Sequence, residues 1–154
     1  MQLSIAAPVH ILLIEQDDEV RKLFITLFKG AECTVSAAFE PVEALDMVKQ
    51  QVPDVVFSSI VFKDMDGFEL CRRLRAMPET ASTMIVALTG HSENAIEEKI
   101  AVAGFDKYLL KPVSIYVLLS LLDRIKERKK LALFVKQHGT STIDIDKPPH
   151  KFLH

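Results

Sequence analysis

The chain has 154 residues, of which 49% are hydrophobic, and a formal net charge of −2 at pH 7. This length suits one soluble domain with its own core, and the near-neutral charge argues against a nucleic-acid-binding arm. No apolar run is long enough to cross a bilayer, and the stretch 3–14 lacks the basic flank of a signal peptide. We therefore expect a cytoplasmic protein that binds neither membrane nor nucleic acid.

Short apolar segments and amphipathic helical segments alternate from residue 9 to about residue 127. Such apolar segments are typical of strands that are buried on both faces of a parallel sheet. The predicted strands are 9–14, 33–37, a segment that starts near residue 54, 83–88 and 107–110. Five successive strand–helix units predict an α/β fold, with a doubly wound five-stranded parallel sheet and helices on both faces.

The predicted helices begin and end at recognisable residues. Asp17 or Asp18 can cap the first helix, and Gly30 is suited to end it. The apolar positions of this helix are Val20, Leu23, Phe24, Leu27 and Phe28. Residues suited to the first turns or caps of the later helices are Pro41, Asp66, Ser92 and Ser114.

The last helical segment has two apolar stripes. Leu118, Leu121, Leu122 and Ile125 form the first; Leu131, Phe134 and Val135 form the second, which is centred roughly 140° further round the helix. The basic cluster 126–130 separates the stripes, so either the helix breaks there or its extension offers a second face to a partner. From about residue 137 the composition predicts a mobile tail. The expected parts are an N-terminal extension (1–7), one domain (8–128), and a helix extension with its tail (129–154).

The cysteines and histidines show no spacing that predicts a metal site. Cys33 and Cys71 lie on different elements and are expected to be buried thiols. His10 is expected to be a hydrogen-bonded core or edge residue of the first strand. His150 and His154 are four residues apart, but they fall in the predicted tail.

Polar side chains follow four of the predicted strands at the point where each strand ends. They are Glu15 with Gln16, then Ser59, Thr89 and Lys111. Ligands of open parallel sheets gather outside the carboxyl ends of the strands. These side chains are therefore predicted to share one crevice.

Four segments resemble the receiver domain of two-component response regulators: ILLIEQDDEVRKLF, PDVVFSSIVFKDMDGFELCRRLR, ALTG and DKYLLKPV. The resemblance covers about residues 8–128 and implies the strand order 2-1-3-4-5 of the flavodoxin-like fold. In that family an acidic pair after the first strand holds Mg²⁺, and an Asp at the end of the third strand takes a phosphoryl group from a histidine kinase. A hydroxyl residue and a lysine after the next two strands contact the phosphoryl group.

The resemblance assigns these roles residue by residue. Glu15 and Gln16 correspond to the acidic pair, and Ser59 to the phosphoacceptor. The resemblance also implies phosphate contacts, a metal-binding carbonyl, an aromatic switch residue and a cis peptide bond at Lys111-Pro112. The residues in these roles are Thr89 and Lys111 for the contacts, Val61 for the carbonyl and Tyr108 for the switch.

The sequence departs from the family pattern where the chemistry lies. Gln16 replaces an acid and Ser59 replaces the acceptor Asp, while Lys63-Asp64 stands where Pro-Gly is common. The negative charge of Glu15 is then cancelled by the positive charge of Lys111, so we expect Mg²⁺ binding to be weak or absent. We expect no other cofactor. We interpret the chain as a pseudo-receiver without catalysis, in which Ser59 ends a strand and hydrogen-bonds Lys111 or a backbone group.

Three alternatives stay open at this point. The phosphoryl group could be accepted by Asp64 or Asp66, Ser59 and Lys111 could form a hydrolase dyad, or the chain could be a fragment that lacks its output module. The expected partners are signalling proteins such as a histidine kinase or a downstream effector. A homodimer through the face of the fourth helix, fifth strand and fifth helix is also expected.

Overall fold

The computed structural model of the chain describes residues 7–90 and 94–139. The predicted cap Ser92, almost all of the N-terminal extension, and the tail with His150 and His154 lie outside these residues. The strands are β1 (His10–Ile14), β2 (Thr34–Ala38), β3 (Val55–Ser59), β4 (Met84–Thr89) and β5 (Lys107–Leu110). The helices are α1 (Asp18–Gly30), α2 (Pro41–Gln50), α3 (Gly67–Ala76), α4 (Asn94–Ala103) and α5 (Ile115–His138).

The strands form one parallel sheet in the order β2-β1-β3-β4-β5, which confirms the predicted fold class and strand order. The register brings the carboxyl ends of the strands level with one another. Ile14 pairs with Ser58, Ser59 pairs with Leu88, and Thr89 pairs with Leu110. The residues that follow β1 and β5 therefore meet the ends of β3 and β4.

Alternate residues of each central strand face opposite sides of the sheet, and each side has its own apolar core. Ile11, Leu13 and Phe57 pack with α1 and α5, where the Phe28 ring lies 4.9 Å from the Phe57 ring. The other face holds Leu12, Ile14, Val56 and Ile85 with residues of α2, α3 and α4. The predicted stripe of α5, Leu118, Leu121, Leu122 and Ile125, is buried in the first of these cores.

The apolar stripe of α1 is narrower than its spacing predicts. Phe24 and Phe28 are buried and Val20 and Leu27 are half-buried, whereas Leu23 is exposed. Leu23 lies outside the buried face of α1, because the two phenylalanines set that face. Leu23 precedes Phe24 by one position, which turns its side chain about 100° away.

Side-chain caps define the beginnings of three helices. Asp17, not Asp18, caps α1, accepting hydrogen bonds from Glu19 N at 2.9 Å and Val20 N at 3.0 Å. Asp66 caps α3 by accepting from Glu69 N at 2.8 Å. Ser114 caps α5. These caps satisfy backbone donors that have no partner within the helix.

Helix α5 is continuous through its basic cluster, so the predicted alternative of a break is wrong. The cluster anchors the helix instead. Lys126 Nζ donates to the Ala31 carbonyl at 2.6 Å, and Lys129 Nζ donates to Asp54 Oδ2 at 2.8 Å. Beyond these anchors the second apolar stripe is largely uncovered, with Leu131 57% exposed and Phe134 43% exposed.

Two further expectations concern the two cysteines and His10. Cys33 and Cys71 are buried free thiols, as predicted, and burial raises the pKa of Cys71 to about 11. His10 is hydrogen-bonded, as predicted: its Nδ1 lies 2.7 Å from Thr34 Oγ1 and its Nε2 lies 3.1 Å from Ser36 Oγ.

Among residues 7–90 and 94–139, no helix combines the length and apolar character that a membrane crossing requires.

Candidate functional site

A cleft of about 300 Å³ opens at the carboxyl ends of the strands. It brings together most of the residues that the sequence assigned to one crevice. Glu15, Ser59, Val61, Thr89 and Lys111 all line it. Gln16 and Tyr108 lie beside the cleft and are held by other contacts, described below.

Three polar side chains in the cleft bond to one another, and we call them the Glu15–Ser59–Lys111 cluster. Ser59 Oγ donates to Glu15 Oε1 at 2.7 Å, and Lys111 Nζ donates to Ser59 Oγ at 2.9 Å. Lys111 Nζ also forms an ion pair with Glu15 Oε1. The second carboxylate oxygen, Oε2, accepts from the backbone N–H of Asp17 at 3.1 Å. Both oxygens of Glu15, which is only 3% exposed, therefore have partners within the protein.

The backbone around the cluster is fixed by the sheet and by the close approach of α3. Lys111 N donates to the Thr89 carbonyl at 2.8 Å, which holds the residue after β5 against the end of β4. Gly67 N donates to the Ile60 carbonyl at 2.6 Å. A Cβ atom at Gly67 would lie 2.6 Å from the Ser59 carbonyl oxygen, so only glycine allows α3 to begin so close to Ser59.

The two serines at the end of β3 face opposite sides. Ser58 is buried, and its hydroxyl donates to the Ser59 carbonyl at 2.8 Å. Ser59 points its hydroxyl to Glu15 and Lys111. This alternation follows from the strand period and places Ser59 in the cleft.

Arg21 of α1 is a part of the site that sequence reasoning missed. Its Nη1 donates to the Glu15 carbonyl at 2.9 Å and to the Gln16 carbonyl at 3.4 Å. The guanidinium also pairs with Asp18, and its central carbon lies 6.0 Å from the centre of the Phe39 ring. Its position three residues after Asp18 was the available signal. A second cation therefore sits beside the loop that contains Gln16.

The resemblance assigns a phosphate contact to Thr89 and a switch role to Tyr108. Thr89 ends β4, and Tyr108 lies in the neighbouring strand β5. Thr89 is buried and lines the cleft. The Tyr108 hydroxyl donates to the Glu97 carboxylate of α4. This hydrogen bond raises the pKa of Tyr108, because it favours the protonated phenol. The Lys111-Pro112 peptide bond is cis, as the resemblance implies.

Few carboxylates are available near the cleft. Asp17 and Asp66 are occupied as helix caps, and Asp18 pairs with Arg21. Within the part of the chain that the structure describes, no three His, Cys, Asp or Glu side chains gather as potential metal ligands. In the Glu15–Ser59–Lys111 cluster the charges of Glu15 and Lys111 cancel. The carboxylate that this cluster contributes to the cleft, that of Glu15, already has partners at both oxygens.

Comparison with known proteins agrees with the fold. Residues 11–123 match the family model of the response regulator receiver domain. The chain is 30% identical over 125 residues to the response regulator MprA of Mycobacterium ulcerans, an alignment that covers 80% of this chain and 52% of MprA. It therefore spans about half the length of that relative. It is also 29% identical over 118 residues to an uncharacterized 14.6 kDa protein of Leptolyngbya boryana, covering 77% of this chain and 90% of that protein.

A solved structure supports the same family. The crystal structure of a putative response regulator from Chloroflexus aurantiacus superimposes with a TM-score of 0.74 at 28% sequence identity, covering 77% of this chain and 98% of that one. The family match includes β1 to β5 and the residues of the cleft. The chain belongs to the response regulator receiver domain family of two-component signalling proteins.

Proposed function

We propose that this chain is a pseudo-receiver, a receiver domain that signals through protein–protein contacts without phosphorylation of an aspartate. The observation that carries the proposal is the Glu15–Ser59–Lys111 cluster, in which Ser59 is bonded on both sides. The resemblance assigns the phosphoacceptor position to this serine. Receiver domains are generally signalling modules rather than enzymes, and they interact with histidine kinases and effectors. The proposed role keeps those contacts and drops the phosphoryl chemistry.

The donor groups of the cleft do not fit Mg²⁺. The ion needs oxygen ligands in octahedral geometry, usually with carboxylates among them. Glu15 is paired with Lys111, so the two formal charges cancel. Each close charge contributes roughly 1 to 4 kcal/mol at surface-like dielectric, so the loss of two acids at positions 16 and 59 removes several kcal/mol of attraction. Arg21, against the carbonyls of Glu15 and Gln16, adds a positive charge nearby.

The hydroxyl of Ser59 is poorly placed for group transfer. A serine nucleophile needs a base to take its proton. The Ser59 proton points to Glu15, but that carboxylate is also the ion-pair partner of Lys111. A hydrolase dyad would need a lysine amine free to accept a proton, whereas Lys111 donates to both Ser59 and Glu15. These contacts favour a structural role for Ser59.

The alternative acceptors have weaker support. Asp66 is occupied as the cap of α3, with its carboxylate accepting from Glu69 N at 2.8 Å. Asp64 is exposed in the loop between β3 and α3. Neither carboxylate lines the cleft with Thr89 and Lys111. The contacts described for Asp64 and Asp66 therefore give no support to either residue as a phosphoryl acceptor.

The face formed by α4, β5 and α5 is the proposed partner surface. Tyr108 of β5 donates a hydrogen bond to Glu97 of α4 across this face. A movement of either side chain would therefore affect both β5 and α4. Large apolar side chains are exposed along it, with Tyr116 83% exposed and Val117 50% exposed. Patches of this kind on soluble proteins mark interaction sites. A histidine kinase, a downstream effector or a second copy of the chain are the proposed partners.

The test is phosphorylation with acetyl phosphate and Mg²⁺, followed by intact-mass measurement. The wild-type protein is expected to gain no phosphate. The Gln16→Asp/Ser59→Asp variant, which restores both acids, is the matched control and is expected to gain one. Phosphate on an aspartate of the wild-type protein would overturn the proposal. Phosphate that disappears in Ser59→Ala would overturn the structural role of Ser59.

A second measurement is independent of whether the control variant accepts phosphate. The wild-type protein is titrated with Mg²⁺ and then with beryllofluoride while the backbone amides of Ser59, Thr89 and Lys111 are followed by NMR. Unchanged amide shifts are expected. Saturable shifts centred on residue 59 would show that the cleft holds the ion and that the proposal is wrong.

A further inference from the structure

The outer face of α5 carries a regular row of exposed residues. Counted along the helix, they are separated alternately by three and four positions, which is the spacing of a coiled-coil seam. We call this row the α5 seam. Its members, all exposed, are Val117, Ser120, Arg124, Glu127, Leu131 and Phe134.

The α5 seam is complementary to itself when a second copy runs in the opposite direction. The two-fold axis passes the outer face of α5 at the height midway between residues 125 and 126. Arg124 of one copy then lies opposite Glu127 of the other, and the reverse pair forms by symmetry. In the same alignment Val117 lies opposite Phe134. Ser120 then lies opposite Leu131. The charges meet their opposites, and the exposed apolar ends meet each other.

A parallel alignment has the opposite consequence. It would place Arg124 against Arg124 and Glu127 against Glu127 of the second copy, and like charges across a seam are destabilising. The charge pattern therefore selects both a direction and a register. An unrelated helix would have no reason to match this order of residues.

The residues that flank the α5 seam fit the same arrangement. Asp123 and Lys130 lie on the side of the seam that faces away from the sheet, and both are exposed. In the antiparallel register, Asp123 of one copy comes beside Lys130 of the other. Within its own helix Lys130 reaches only Glu127, at 3.5 Å between two exposed side chains, which is a weak restraint.

The helix is held firmly enough to present this face. Buried Leu118, Leu121 and Ile125 attach its first half to the core. Lys126 and Lys129 attach the next turn to the Ala31 carbonyl and to Asp54. The last two turns, with Leu131 and Phe134, extend past these anchors. They are positioned to cover the exposed Tyr116 and Val117 of a second copy.

We propose that two copies of the chain associate through antiparallel packing of their α5 seams, with Arg124 and Glu127 paired across a two-fold axis. This inference rests on the proposed function, because it specifies how part of the α4–β5–α5 face is used. The occupant is a second copy of this chain, since the pattern of the seam matches its own reversal.

Light scattering with size exclusion across a series of protein concentrations tests the proposal. The wild-type protein is expected to dimerise, and Arg124→Glu or Glu127→Arg alone is expected to weaken dimerisation by about tenfold or more. The double variant Arg124→Glu/Glu127→Arg restores the opposite charges and is expected to dimerise like the wild type. Lys136→Glu, an exposed charge change on the same helix but outside the seam, is the matched control and is expected to have little effect.

Disulfide cross-linking tests the register. Ser120→Cys and Leu131→Cys proteins are expected to cross-link when mixed, and Ser120→Cys alone is expected not to, because Ser120 lies opposite Leu131. The native Cys33 and Cys71 are buried and do not interfere.

A monomeric wild-type protein would overturn the dimer and leave the face to another protein. A double variant that stays as weak as the single ones would overturn the pairing of Arg124 with Glu127. That failure is separate from the failure of the pseudo-receiver proposal, which only phosphate or Mg²⁺ binding at residue 59 would reveal.

Discussion

The two ends of the central sheet each hold a lysine–carboxylate pair that joins distant parts of the chain. At the carboxyl end, Lys111 pairs with Glu15. At the amino end, Lys129 Nζ lies 2.8 Å from Asp54 Oδ2, and the same oxygen accepts from His10 N at 2.7 Å. The first pair joins the residue after β5 to the residue after β1, and the second joins α5 to the residue before β3. Each carboxylate also accepts at least one backbone N–H.

The two pairs differ in burial and in what surrounds them. The side chain of Glu15 is 4% exposed and that of Asp54 is 31% exposed. The carboxyl-end pair lies in the cleft where the family performs its chemistry, whereas the amino-end pair fastens α5 to the sheet. A lysine–carboxylate pair thus lines the cleft at one end of the sheet and anchors a helix near the surface at the other. We expect the burial of the carboxylate to set how much free energy of unfolding is lost when each pair is broken.

Breaking the carboxyl-end pair is expected to have the largest effect. Lys111→Met leaves the buried Glu15 without its counter-charge, and we expect the free energy of unfolding to fall by about 3 kcal/mol. Urea denaturation followed by circular dichroism measures the change. The control is Glu15→Gln/Lys111→Met, which removes both charges and is expected to lose clearly less than the single variant. Equal losses in both would show that the charge of Glu15 does not govern the cost.

The carboxyl end also depends on close backbone packing. Gly67→Ala places a methyl group 2.6 Å from the Ser59 carbonyl oxygen and 2.7 Å from Ile60 Cα, and neither backbone atom can turn away as a side chain would. We expect a loss of about 2 kcal/mol, as for overpacking elsewhere. Thermal or urea denaturation measures it, with Gly30→Ala as the matched control, because a Cβ there meets nothing within 4 Å. A Gly67→Ala protein as stable as the control would mean that α3 can retreat from Ser59.

Most of the fold could be predicted from local sequence patterns. The five strand–helix units follow from apolar segments and helix caps, and the strand order follows from the family motifs. The pairing of Lys111 with Glu15 and the hydrogen bond between Lys111 and Ser59 were also predicted, because polar residues after parallel strands meet at one edge. The hydrogen bond from Ser59 to Glu15 was not predicted. Each of these predictions depends on residues that are close in sequence or on the regular geometry of a sheet.

The rest depends on side-chain directions that a pattern does not contain. Arg21 turns back to the carbonyls of Glu15 and Gln16, whereas its spacing from Asp18 predicts only an ion pair on the helix surface. Leu23 has an apolar side chain at a helical spacing but faces away from Phe24 and Phe28. In both cases the outcome is set by how α1 is rotated against the sheet, and that rotation follows from packing of the whole domain.

Breaking the amino-end pair is expected to cost less than breaking the carboxyl-end pair. Lys129→Met leaves Asp54 with its hydrogen bond from His10 N and with access to water. We expect a loss of about 1 kcal/mol, within the range of partly exposed pairs. The same urea experiment, run beside Lys111→Met, gives the ratio directly. A loss at Lys129 as large as that at Lys111 would contradict the claim that burial separates the two ends.

The smallest expected effect is a pH dependence that belongs to the amino end. Burial lowers the pKa of His10 below its usual value, with Asp54 partly opposing the shift and Lys129 adding to it. The unfolded chain therefore binds a proton at about pH 6.5, before the folded protein does, so stability is complete above that pH and declines as the pH falls through 6.5 towards the lowered folded value. His10→Gln removes this decline while the carboxylates, shared by both proteins, titrate as before. Urea midpoints at about pH 7.5 and about pH 5.5 are expected to differ more for the wild type than for His10→Gln. Parallel pH profiles would assign the whole dependence to the carboxylates.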